Sequence, residues 1–161
     1  MLVRFTRLTN ERHRFEIVRD DGTSESHELE TRSTLLHDLA HYAVELEAGL
    51  EASFYGRLAN GQRLEELTAE PPTTPEAMQT ELVVVQMQNT FRHGDDSKEI
   101  SPEAQAMRIH GGFVAMQSEP PEWLTGELVG RIRERLRRVL GQWRATAFHG
   151  TMELPFPAAE R

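Results

Sequence analysis

A chain of 161 residues is long enough for one domain with a real core, and 38% hydrophobic with 27% charged residues is ordinary globular usage that argues against wholesale disorder. The absence of cysteine excludes disulfides, thiolate zinc sites and thiol catalysis, leaving His and carboxylates as metal ligands. A net charge of −8 argues against a general nucleic-acid binder, and no stretch approaches the ~18 apolar residues of a membrane span.

The first fifteen residues contain no apolar signal segment, so a single cytoplasmic domain without nucleic-acid or membrane partners is expected. Val3 and Phe5, then Phe15 and Ile17, stand between polar neighbours with the period of half-buried strands. Asp21-Gly22 suits a tight hairpin turn with positive φ. The return, "SESHELE", is polar apart from Leu29, which predicts an edge strand or a poorly ordered segment.

Helical spacing then takes over, with Ser33 or Thr34 as cap of a helix running to about Ala48. A second helix carries Phe54, Tyr55 and Leu58 and stops at Asn60-Gly61. Thr74-Pro75-Glu76 opens a third, through "ELVVVQMQNTFRH" to Gly94. There the Thr caps, the Pro fits the first position, and the Glu meets the positive dipole end. Ser101-Pro102-Glu103 repeats that signal for a shorter helix ending near Gly111-Gly112. Leu124, Leu128, Val129, Ile132, Leu136, Val139, Leu140 and Trp143 share one arc of the most amphipathic helix. Phe148, Met152, Leu154 and Phe156 alternate with other residues, predicting a last strand over 145–154 that returns to the N-terminal sheet. The sum is an α+β domain, a small antiparallel sheet packed against four or five helices.

The stretch with chemical promise is "LLHDLAHYAVE", Leu35 to Glu45. At about 100° per residue, with His37 at zero, His41 lies near 40°, Glu45 near 80° and Asp38 near 100°. Leu35, Leu39, Tyr42, Ala43 and Leu46 fill the opposite side. Imidazoles at i and i+4 can converge on one divalent ion, zinc by preference. Asp38, directly after the first ligand, is then the candidate general base toward water whose pKa the ion lowers. His37-Asp38-x-x-His41 has the layout of the zinc-peptidase His-Glu-x-x-His signature, with an acid one methylene shorter. Glu45 is either a further metal ligand or a partner that fixes the His41 tautomer, since it lies about 12 Å along the axis from His37. His93, His110, His149 and Glu81 are the other candidates for a third ligand.

Two resemblances follow from these residues. "LLHDLAH" is similar to the metal-binding core of HD-domain phosphohydrolases. That family is all-helical and needs a downstream Asp, for which only Asp95 and Asp96 are present. More closely, His37-Asp38-Leu39 to His41, Val44-Glu45 and the segment "SFYGRLANG" resemble a bacterial family without established activity. In that family a His-Asp-Leu-x-His-x-x-Val-Glu helix precedes a Gly-aromatic-aromatic-Gly segment. Ser53 stands where that family usually has Gly, and the resemblance implies that the polar stripe and the Phe54-Tyr55-Gly56 turn belong together.

Residues 131–144 carry a local charge of +5 and residues 1–130 a local −12. "RIRERLRR" reads as a solvated helix back with Glu127–Arg131 and Glu134–Arg138 at pairing distance. The functional expectation is a metal-binding protein capable of metal-assisted hydrolysis of a small molecule or peptide. The alternative is a non-catalytic interaction or homodimeric assembly module without metal. In it the polar stripe is solvated and the Arg-rich helix, with Trp123 and Trp143, meets a partner.

Overall fold

The computed structural model describes residues 1–69, 71–92 and 95–157, with only the backbone of 96 and 97. Four strands form one antiparallel sheet in the order β3-β2-β1-β4: β1 Leu2–Arg7, β2 Arg12–Val18, β3 Ser24–Glu30 and β4 Thr151–Pro155. Six α-helices stand between the third and fourth strands: α1 Thr31–Ala48, α2 Phe54–Ala59, α3 Leu64–Ala69, α4 Pro75–Phe91, α5 Pro102–Ala115 and α6 Gly126–Ala145. This is the α+β arrangement expected, with one more helix than the upper expectation, the six-residue α3.

The strand alternation sorts the sheet into two faces. Val3, Phe5, His13, Phe15, Ile17, Met152 and Leu154 are buried toward the helices. On the other face Arg4 lies opposite both Glu16 and Glu153 and pairs with each, and Arg14 pairs with Glu28. Gly22 takes φ 86° in the β2–β3 turn, where the Asp21 carboxylate accepts from the Thr23 amide. Polar β3 is an ordered edge strand, and its charged side chains discourage pairing with another chain.

Several boundaries differ from expectation. α5 runs through Gly111-Gly112 to Ala115, and α4 ends at Phe91, short of the expected Gly94. α1 begins at Thr31 because β3 runs straight into it, and Glu30 is the cap, its carboxylate accepting from the Ser33 amide. β4 begins at Thr151, later than expected. α6 continues to Ala145, and residues 146–150 turn the chain with His149 at φ 63°.

Helix α1 lies at the centre, in contact with α2, α4, α6 and β3. Its Tyr42 hydroxyl donates to the Pro155 carbonyl at 2.9 Å and its ring meets Phe156, tying one side of the helix to the sheet. The other side, which carries the histidines, is covered by α4 and α2.

Candidate metal centre

Helices α1 and α4 build the site together. Along α1 the i, i+4 spacing stacks His37 and His41, whose rings are 4.7 Å apart at 75°. From α4, Glu81 reaches across to both: Oε2 is 2.9 Å from His41 Nε2 and Oε1 is 3.5 Å from His37 Nε2. One ligand atom from each of His37, His41 and Glu81 lies within 4.8 Å of the others. Donors about 2.0–2.2 Å from a tetrahedral zinc are roughly 3.4 Å apart, so a small closure of the His37 side would bring all three onto one ion.

Glu45 occupies a different place. Its side chain is fully buried, with Oε1 2.9 Å from His41 Nδ1, on the far edge of that ring from Glu81. Its Oε2 accepts from the backbone amides of Tyr55 and Gly56 at 2.7 and 3.2 Å. Those amides are at the start of α2, where a helix has no internal acceptors for its N–H groups. Both carboxylate oxygens are therefore engaged. Glu45 orients His41 and anchors α2 while Glu81 meets the other ring nitrogen of His41.

Charge follows from this geometry. Burial pushes the His41 imidazole toward the neutral form, but its hydrogen bonds to the Glu45 and Glu81 carboxylates outweigh it and hold its pKa up at about 9. His41 thus donates from both ring nitrogens, a cation between two carboxylates. His37 is lowered by burial and by its cationic neighbour, against the pull of Glu81 and Gln88, whose side-chain oxygen is 3.3 Å from His37 Nδ1. Glu81 is lowered by its bond from His41, against burial. A metal ion bound here would take the place of the proton on His41 Nε2.

Asp38 lies on the shoulder of the polar stripe, and its Oδ2 is buried with no hydrogen-bond partner among the described residues. Burial pushes its carboxyl up to about 7, opposed by His41. It lines a cavity of about 240 Å³ together with His37, His41 and Glu81. The rest of that wall is largely apolar, from Phe54, Leu67, Pro72 and Ala77, and Arg57 adds a guanidinium to it. Ser53 also borders the cavity, but its hydroxyl is 2.8 Å from Thr80 Oγ1, which itself donates to the Glu76 carbonyl.

Of the other third-ligand candidates, His110 donates through Nε2 to the Leu124 carbonyl at 2.8 Å. His149 sits in the turn before β4, its amide bonded to the Arg7 carbonyl. His93 lies outside the described residues. Sequence reading had no means to prefer Glu81, because its place depends on how α4 packs on α1. It also missed Arg57, which carries no motif. No protein-family model, curated protein or solved structure matches the chain.

Proposed function

We propose that this is a divalent-metal protein, zinc by preference, with His37, His41 and Glu81 as ligands and metal-assisted hydrolysis as its reaction. The observation that carries this reading is a two-His, one-carboxylate set facing a cavity that Asp38 also lines, one of its carboxyl oxygens being buried with no hydrogen-bond partner among the described residues. His37, His41 and Glu81 would hold the ion and leave it an open position, as catalytic zinc sites do, and a bound zinc would there supply carbonyl polarisation and a water of lowered pKa, toward about 7.

The chain's own residues supply the rest. Glu45 holds His41 with Nε2 turned to the ion. Glu81 neutralises charge. Asp38, whose pKa is near 7, can take a proton from water and return it to the leaving group.

A panel of small esters and amides tests this reading. Hydrolysis should require bound zinc, stop with EDTA, and fall about 10²–10⁴-fold in Asp38→Asn with zinc affinity within a few-fold of wild type. Full activity in Asp38→Asn would remove that residue from the reaction. Activity indifferent to chelator would remove the metal.

A further inference from the structure

Arg57 is the unexplained charge in the cavity. The protein carries net charge −8. Arg7 lies over the Trp143 and Phe148 rings, while Arg19, Arg135 and Arg137 have the acidic partners Glu25, Glu47 and Asp95. Arg57 has none among the described residues. Its Nε donates to Gln62 Oε1 at 2.8 Å, which orients the guanidinium, and its two terminal nitrogens have no acceptor among the described residues. A guanidinium fork held this way suits a planar carboxylate, which it can grip through two parallel hydrogen bonds. The surrounding wall of Phe54, Leu67, Pro72 and Ala77 suits an apolar side chain, and 240 Å³ admits only a small molecule.

We infer that the cavity takes a small acidic substrate of the N-acyl amino acid class. Arg57 grips its carboxylate, the apolar wall takes its side chain, and its amide carbonyl faces His37, His41 and Glu81. The binding half stands on Arg57 and the cavity; the hydrolytic half rests on the metal reading above. In the reaction, oxygen from water bonds to the amide carbon and the C–N bond breaks. The nitrogen leaves as an amine carrying one proton from that water, and the products are a carboxylic acid and an amino acid. No oxidant or reductant is needed.

The test is a calorimetric titration with N-acetyl-leucine and its neutral counterpart N-acetyl-leucinamide, on protein loaded with zinc and on protein stripped with EDTA. Wild type should bind the acid at least tenfold more tightly than the amide in both states. Arg57→Gln should erase the difference, while Arg57→Lys, which keeps charge without the fork, should retain part of it. Circular dichroism verifies that each variant is folded. An acid preference that survives in folded Arg57→Gln, or no preference in wild type, overturns the inference. Protein that takes up no zinc yet shows the Arg57-dependent preference would defeat the metal reading and uphold the carboxylate pocket.

Discussion

Glu45 shows how one buried carboxylate can serve both fold and site. It accepts from His41 and from two backbone amides of α2, so its loss disturbs the ring orientation and the helix docking together. Glu45→Gln keeps the size and removes acceptor capacity. The expected cost is about 1–3 kcal/mol in urea unfolding. Zinc affinity should fall about 10–100-fold in competition with a chromogenic chelator. Unchanged affinity would mean that Glu45 does not orient a ligand. His13 makes a separate claim about pH. It is fully buried, bonded through Nδ1 to Thr31 and set between Phe5 and Trp143, and burial lowers its pKa from 6.5 to about 4. The unfolded chain takes the proton first. Stability from this residue is therefore complete above pH 6.5 and is lost as pH falls toward 4, by about 3 kcal/mol in all. Urea unfolding with EDTA present, at pH 7 and pH 4, should show a smaller loss in His13→Phe than in wild type. Equal losses would contradict the assignment.

Among the elements, α1 has both sides covered. That explains why His41 and Glu45 are not on a wet face, as amphipathic reading alone allows: His41 is 8% exposed and Glu45 0%, while His37 stays half-buried. Local chemistry was legible wherever a short-range rule governs it. Thr74 and Ser101 cap α4 and α5 as read, each accepting from the amide three residues on. Asp21-Gly22 turns the β2–β3 hairpin. The α1 start was misplaced because Glu is an uncommon cap and no loop separates it from β3. Helix α3 was missed because six residues carry too little periodicity. Gly56 gives this scale its prediction. A Cβ there would lie 2.5 Å from the Glu51 backbone, so α2 packs against the α1–α2 connection only with glycine at that place. Gly56→Ala should destabilise by about 1–3 kcal/mol in urea unfolding. It should also weaken zinc binding, since the Gly56 amide is one of the two that hold Glu45. A variant with wild-type stability and affinity would show that the turn can shift freely.

Over the whole molecule, the sequence told which helix holds the histidines but not what faces them. Glu81 lies forty residues beyond His41 and meets it only through packing of α4 on α1. The surfaces that suggested a partner are largely used within the chain. Trp143 is buried against His13, and Trp123 packs on the core. Arg131 and Arg135 both pair with Glu47 of α1, and Glu134 reaches Arg137 in place of the expected Arg138. Among the described residues no helix is long and apolar enough to cross a membrane. A bound ion would tie α1 to α4, so zinc at about 100 times Kd should add about 2.7 kcal/mol and raise Tm by about 5–10 °C. EDTA should reverse the shift, and Glu81→Gln should largely abolish it. A Tm indifferent to zinc and EDTA would count against such a bridge.

The most direct test is the metal content of tag-free protein by elemental analysis, beside the His37→Ala/His41→Ala double variant and Glu81→Gln. We predict about one divalent ion per chain in wild type, lost in the double variant and sharply reduced in Glu81→Gln. Wild-type protein that stays metal-free after incubation with zinc would contradict the account and leave the two histidines and Glu81 as a buried ion-pair cluster.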